Sequence, residues 1–89
     1  MNTKTTRREI STVLRKAGFN AIKRVGTYGH TAGYNSWEIG SALYVTYQAS
    51  MGGNADVASK NAEILAALVA AGIDAGYCTN YPDGRIEIF

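Results

Sequence analysis

The sequence predicts an α+β fold, a two-layer sandwich in which two helices lie on one face of an antiparallel sheet of four or five strands. Three observations predict this fold. Two segments have the apolar spacing of amphipathic helices, both end at an Ala-Gly pair, and both are followed by extended, strand-like segments that contain a turn. A chain of 89 residues is long enough for a single domain, residues 1–89, with a modest core.

The first predicted helix runs from about residue 6 or 7 to residue 17. Its apolar side chains fall at helical spacing on one stripe: Ile10, Val13, Leu14 and Ala17. Thr6 and Glu9 have the spacing of a capping box, in which each side chain bonds a free backbone N–H of the first turn. Gly18 can take the left-handed conformation that ends a helix, and Phe19 supplies the apolar contact that accompanies such an end.

The second predicted helix has the same plan. Asn54 or Asp56 can cap its start, and Gly72 followed by Ile73 repeats the helix end. Its apolar stripe consists of Val57, Ile64, Leu65 and Leu68. Both helices therefore have an apolar stripe to bury, and one shared apolar surface can cover both stripes.

The two halves of the chain resemble each other in sequence. Residues 9–21 and 63–75 are identical at six of thirteen aligned positions. We therefore predict an α-β-β unit used twice (α-β-β-α-β-β), in pseudo-repeats of about 6–48 and 54–89. The predicted extended segments are 21–28, 36–48, 75–80 and 85–89, with "GHTAGYN" as a loop and "YPDG" as a turn.

The long segment 36–48 allows two interpretations. "IGSA" at 39–42 fits a two-residue hairpin turn, which would make two strands. Alternation of apolar residues across it favours one long strand instead. On that basis the side chains predicted to face the helices are Trp37, Ile39, Leu43, Val45, Tyr47, Ile86 and Ile88. Those predicted to face away are Glu38, Tyr44, Thr46, Gln48, Arg85 and Glu87.

Charge is distributed unevenly along the chain. Up to residue 24 there are seven Lys and Arg residues and one acidic residue, whereas from residue 25 onward there are two basic and six acidic residues. Such asymmetry predicts a basic surface that attracts an acidic partner, although a solvated helix face would give the same pattern. The predicted partner-binding residues are Arg7, Arg8, Arg15, Lys16, Lys23, Arg24 and, on the open sheet face, Tyr44.

Catalytic chemistry is not predicted. "SMGG" around Ser50 differs from a hydrolase nucleophile elbow, because Gln48 stands where that motif has its first glycine. His30 is the one histidine, and we expect it to make a local hydrogen bond. Cys78 is the one cysteine, and we expect it to be a small buried apolar residue. We predict no enzyme activity, no metal site and no cofactor.

Cellular location is inferred from the same features. One cysteine cannot make an internal disulfide, which favours a reducing compartment. "MNTKTTRREI" is charged and lacks the apolar run of a signal peptide, and no apolar stretch approaches the roughly 20 residues of a membrane span. We therefore expect a cytoplasmic protein without a membrane association.

Two resemblances concern function. The run "ASKNAEILAALVAAG" (58–72) is similar to the second helix of double-stranded-RNA-binding domains, but it lacks that family's lysine pair. As a type, a small domain with a polarised surface and no catalytic residues resembles counter-defence proteins of phages and mobile elements, anti-CRISPR proteins among them. That resemblance implies an inhibitor in the host cytoplasm.

Three hypotheses about function follow. The first is a non-enzymatic inhibitor that occludes a site on a CRISPR-like nucleoprotein or another protein complex in a fixed ratio. The second is a nucleic-acid-binding module that uses the basic N-terminal helix. The third is a structural domain that associates with itself, as a homodimer, through its sheet face or an edge strand.

Overall fold

The computed structural model describes residues 5–26, 29–49, 56–78 and 84–89. The elements in these ranges are α1 (Arg7–Lys16), β1 (Arg24–Val25), β2 (Gly29–His30), β3 (Gly33–Ile39), β4 (Ala42–Gln48), α2 (Val57–Ala70), β5 (Ala75–Tyr77) and β6 (Ile86–Ile88). An antiparallel four-stranded sheet has the order β3-β4-β6-β5, and β1 and β2 pair separately. The predicted α+β class is confirmed.

Both helices begin at side-chain caps. The Thr6 hydroxyl oxygen accepts a hydrogen bond from the Glu9 backbone N–H at 3.2 Å, as the capping-box spacing predicts. At the start of α2, the Asp56 carboxylate accepts from the Ser59 N–H at 3.1 Å. Asp56 is therefore the cap of α2, and the other candidate, Asn54, lies outside the described residues.

The repeated Ala-Gly pair is a helix end used twice. Gly18 has a φ of 96° and the glycine after α2 has a φ of 84°. After α1 the Phe19 N–H donates to the Leu14 carbonyl at 2.9 Å, and after α2 the Ile73 N–H donates to the Leu68 carbonyl at 3.0 Å. These bonds belong to the Schellman motif, which needs a left-handed residue that glycine adopts without strain. The predicted helix ends are confirmed.

The two halves are nevertheless not equal copies. In the described residues α1 is followed by four strands and α2 by two, because the β1–β2 pair comes between α1 and the first strand of the main sheet in the sequence. The last strand of each half, β4 or β6, lies at the centre of the sheet, and these two strands pair. The exact duplicated α-β-β unit is therefore not confirmed.

The segment 36–48 is not one long strand. Gly40 has a φ of 62°, and Ile39 pairs directly with Ala42 across a two-residue turn. Glycine adopts the positive φ of such a turn with little strain. This local preference outweighs the apolar alternation that continues across the turn. The hairpin alternative is correct, and the predicted "GHTAGYN" loop contains β2 and the start of β3.

The turn changes which side chains of β3 face the helices. It pairs odd-numbered residues of β3 with even-numbered residues of β4, so that Trp37 lies opposite Tyr44. Trp37 and Ile39 therefore lie on the face away from the helices, and Ile39 is 54% exposed. Glu38 pairs with Leu43 and shares the helix-facing side. The predicted faces of these three β3 residues are wrong, because they assumed an unbroken strand.

The core lies between the helices and the other face of the sheet. Its buried residues are Ile10, Leu14, Tyr34, Leu43, Val45, Ile64, Leu68, Ile86 and Ile88. Side chains of both helices belong to this one cluster, so both helices cover the same sheet face, as predicted. Tyr47 packs against the cluster from β4, also as predicted.

Asn61 is a polar residue within this layer. Its side chain is 1% exposed and lies on α2 in line with Ile64 and Leu68. The side-chain oxygen accepts from the Tyr47 backbone N–H at 2.7 Å. The side-chain nitrogen donates to the Thr46 hydroxyl at 3.2 Å and to the Gly84 carbonyl at 3.1 Å. Asn61 therefore ties α2 to the end of β4 and the chain before β6.

Candidate functional site

The predicted basic residues all lie at the surface. Those with exposed side chains are Arg7, Arg8, Arg15, Lys16, Lys23 and Arg24. The one ion pair among the described residues joins Lys60 to Glu63 at 3.7 Å, away from this group in sequence. The basic surface is therefore not neutralised by carboxylates of the described chain, and its charge is available to an anionic partner.

Arg7 differs from the other cations because its side chain contacts the sheet. Its Nε donates to the Ser36 hydroxyl at 3.3 Å, and Ser36 is 7% exposed. This contact joins the first turn of α1 to the middle of β3. Arg7 therefore has a structural contact in addition to its exposed charge.

Arg8 and Lys16 lie beside the groove between the helices. Arg8 borders a depression of about 340 Å³ that Glu9, Thr12, Val13, Ala71 and Ile73 also line. Lys16 borders a second depression of about 420 Å³, which is lined mainly by alanines at the end of α2 and by Val13. These two cations flank an apolar surface where α1 meets the end of α2.

Arg15 and Lys23 line one cleft together. The cleft has a volume of about 610 Å³ and lies between the last turn of α1 and the chain that follows it. The residues that line it are Arg15, Phe19, Asn20, Ala21, Lys23, Thr31 and Ala32. Arg24 is the neighbour of Lys23 in the chain and begins β1. The structure therefore brings two of the predicted cations to a common concave surface.

Tyr44 is not part of this basic surface. It lies on the sheet face away from the helices and is only 8% exposed, so that it offers little contact area to a partner. Its ring stacks on Trp37 with 5.7 Å between ring centroids, and the Arg85 guanidinium lies over both rings at 5.2 and 5.6 Å. Tyr44 therefore lies on the open sheet face where it was predicted, and its ring is covered there by Trp37 and Arg85.

This Trp37–Tyr44–Arg85 cluster is a feature that the sequence interpretation missed. The one-strand prediction placed Trp37 toward the helices and therefore away from Tyr44. The signal that could have revealed the cluster is the "IGSA" turn, since a two-residue hairpin at 40–41 requires Trp37 and Tyr44 to be cross-strand partners.

Two of the residues considered for catalysis, His30 and Cys78, have the local contact and the burial that were predicted for them. The Nδ1 atom of His30 lies 2.9 Å from the Thr31 carbonyl oxygen, which is the local contact expected for it. Cys78 is 5% exposed, in agreement with its predicted burial. Ser50 lies outside the described residues. Across the described ranges, no three His, Cys, Asp or Glu side chains are grouped as metal ligands would be.

Among the residues that the structure describes, one carboxyl group, that of Asp56, has a shifted pKa. The hydrogen bonds from the Ser59 backbone N–H and, next, from the Ser59 hydroxyl lower the pKa of Asp56 below its ordinary value. Asp56 is fully exposed at the start of α2. Its shift reflects helix capping, since a charged carboxylate is the better acceptor for these donors.

Comparisons with known proteins give no relative from which a role could be transferred. No protein-family model, no curated protein and no solved structure matches the chain. Within the described residues neither helix has the length and apolar character needed to cross a bilayer. What the fold defines is a small α+β domain with a basic surface on and after its first helix.

Proposed function

We propose that this protein is a non-catalytic binding domain that docks its basic surface on an acidic region of a protein or nucleoprotein partner. The observation that carries this proposal is the set of six exposed cations, none of which has a carboxylate partner in the described chain. Unpaired surface charges of one sign raise the rate of association with oppositely charged surfaces. An inhibitor of the phage counter-defence type, acting by occlusion of a site, is the particular form we favour.

The positions of the cations support a protein surface, and not the regular phosphate backbone of a duplex, as the partner. Arg7 is held against β3, Arg8 and Lys16 flank the apolar helix groove, and Arg15 with Lys23 lines a cleft. A duplex presents phosphates at regular spacing, and a protein that follows it needs a continuous basic track. Cations divided among three local settings, one beside apolar surface, fit a protein interface with a charged rim better.

The experiment uses charge reversal outside the cleft. Arg8→Glu and Arg24→Glu are tested with Lys60→Glu as the matched control, because Lys60 is a cation on α2 that lies outside the basic group. Proteins captured from bacterial lysate with and without nuclease treatment identify a partner, whose association rate is then measured by surface plasmon resonance. We expect both reversals to slow association by about tenfold or more while the control changes it little.

Direct nucleic-acid binding is the second candidate, favoured by the exposed arginines of α1. It is measured by fluorescence anisotropy on free duplex and single strands. If the basic surface neutralises phosphates, the logarithm of the binding constant falls with the logarithm of the salt concentration, with a slope of about −0.9 per duplex phosphate. Two results together would replace the protein-docking proposal. The protein would bind free strands tightly at about 150 mM salt, and nuclease treatment of the lysate would abolish capture of its partner.

A further inference from the structure

The cleft between the last turn of α1 and the chain that follows it has walls that are fixed by hydrogen bonds. After α1 the chain runs beside β3, where the Tyr34 N–H donates to the Asn20 carbonyl at 3.0 Å and the Ile22 N–H donates to the Tyr34 carbonyl at 3.1 Å. Gly33 permits this approach, since a Cβ there would collide with the Asn20 carbonyl oxygen. The wall formed by residues 20–22 is therefore anchored to the sheet.

The opposite wall is tied to the first one. The Thr31 N–H donates to the Lys23 carbonyl at 2.8 Å, and the Lys23 N–H donates to the Thr31 hydroxyl oxygen at 2.9 Å. This pair of bonds holds the Lys23 backbone at the edge of the cleft. A ligand that binds there meets a preorganised surface and does not have to order it, which lowers the entropic cost of binding.

The electrostatics of the cleft favour an anion. Arg15 and Lys23 line it, and no carboxylate is among its lining residues. The end of a helix ordinarily presents free carbonyl oxygens that would repel an anion. Here the Leu14 and Arg15 carbonyls accept from the Phe19 and Gly18 N–H groups, respectively, so these two oxygens are already hydrogen-bonded within the chain, and the two cations oppose the negative end of the helix.

The remaining lining residues favour a ligand with a flat apolar part. Phe19 is half-buried and offers an aromatic surface, with Ala21 and Ala32 as small apolar neighbours. Asn20 and Thr31 contribute an amide and a hydroxyl for hydrogen bonds. The volume of about 610 Å³ falls within the roughly 300–1,000 Å³ typical of small-molecule sites and greatly exceeds what a single ion needs.

We infer that this cleft binds a nucleotide, with the phosphate between Arg15 and Lys23 and the base against Phe19. Arginine and lysine are the side chains that bind phosphate through charge-assisted hydrogen bonds, and an aromatic ring is the usual stacking surface for an unpaired base. The nucleotide is either a free mononucleotide or one unit of a single strand. This site is independent of docking through Arg8 and Arg24, which lie outside the cleft.

The test is an NMR titration of the ¹⁵N-labelled full chain at about 150 mM salt. The probes are AMP, adenosine, inorganic phosphate, the oligonucleotide dT10 and hexaglutamate. We expect AMP to shift the backbone amide signals of Asn20, Lys23 and Thr31 with saturation at roughly millimolar concentration, and adenosine or phosphate alone to bind at least about tenfold more weakly. Tighter binding of dT10 than of AMP indicates a strand as the natural source, and the reverse indicates a free nucleotide.

Variants make the assignment specific. Arg15→Ala and Lys23→Ala should each weaken AMP binding by about tenfold, since each removes a charge-assisted contact. Arg8→Ala, an arginine of the same helix outside the cleft, should leave it within twofold. The ligand-free NMR spectrum of each variant shows whether its fold is retained. If one of the two cleft variants fails to fold, the other still tests the inference.

The inference is overturned by any of three results. The first is no AMP binding at millimolar concentration, and the second is a set of AMP-induced shifts that map to residues away from the cleft. Hexaglutamate binding at the same amides as tightly as AMP would mark a general site for acidic peptides. Because these measurements need only the isolated chain, their failure leaves the partner capture and the Arg8→Glu and Arg24→Glu results unaffected.

Discussion

Replacement of Asn61 by alanine should destabilise the protein more than any single change at its surface. The substitution removes three hydrogen bonds, to the Tyr47 N–H, the Thr46 hydroxyl and the Gly84 carbonyl. Each such bond contributes about 1 kcal/mol net, and alanine regains about 0.5 kcal/mol through its higher helix propensity. We therefore expect the free energy of unfolding to fall by about 2.5 kcal/mol, which corresponds to a decrease of roughly 10–20 °C in Tm for a domain of this size.

The assay is urea unfolding monitored by circular dichroism, with two-state behaviour checked by a second probe. Lys60→Ala is the matched control on the adjacent position of α2. Its ion pair with Glu63 is exposed, so its loss should change stability by less than about 0.5 kcal/mol. An Asn61→Ala change as small as that of the control would refute the role assigned to the buried amide.

A second substitution at the same site separates lost bonds from lost volume. Asn61→Asp keeps the side-chain shape and an acceptor for the Tyr47 N–H, but it places a carboxylate oxygen against the Gly84 carbonyl. Burial then raises the pKa of the introduced carboxyl group above its unfolded value, so the folded state binds more protons. The stability of this variant should therefore be greatest below the unfolded pKa and should fall as the pH rises from there through the raised folded pKa. A pH-independent loss would contradict the buried position of this side chain.

Three further predictions concern other parts of the fold. Gly18→Val should lower the free energy of unfolding by roughly 1 kcal/mol or more in the same urea assay, because the φ of Gly18 is 96° and valine resists that backbone conformation. The space around a Cβ at this position is open, so the loss would come from the backbone and not from a steric clash. An unchanged stability would show that the helix end tolerates other backbone conformations. Tyr34→Phe should leave stability unchanged or raise it by up to about 1 kcal/mol, since the buried Tyr34 hydroxyl has no hydrogen-bond partner in the described part of the chain; a clear loss would reveal a partner for that hydroxyl. Asp56→Asn should lower Tm near neutral pH, and this difference should shrink as the solution is acidified, because the hydrogen bonds from Ser59 hold the pKa of Asp56 below its unfolded value. The stabilisation is then present above the unfolded pKa and lost as the pH falls through the folded pKa, and a Tm difference that persists unchanged in acid would exclude this cause.

Local sequence chemistry was sufficient to predict both helices and their ends. Caps and glycine stops depend on side chains within a few residues of the helix end, such as Thr6 and Glu9 or Gly18 and Phe19. The helical stripe likewise indicated which side of each helix is buried, since Ile10 and Leu14 need only a partner surface of any kind. The exposure of Arg7, Arg8 and Arg15 followed from the same periodicity, because they lie off the apolar stripe of α1.

The division of the strands was less determined by local sequence. Apolar alternation across 36–48 is compatible with one strand or two, and only the pairing of Ile39 with Ala42 distinguishes them. A two-residue turn places Trp37 on the sheet face away from the helices, so the presence of this one turn changes which residues surround a large aromatic side chain. The cluster with Tyr44 and Arg85 follows from that register.

What the sequence by itself determined is the α+β class, the two helices with their glycine ends and an N-terminal excess of positive charge. Only the tertiary structure decided how that charge is divided, because it depends on where the chain after α1 runs relative to β3 and β2. The bonds of Asn20 and Ile22 to Tyr34, and of Lys23 to Thr31, join residues eight or more positions apart. No local pattern encodes such pairings, since they are selected by the packing of the whole sheet, and they bring Arg15 and Lys23 to one cleft while Tyr44 remains on the far face.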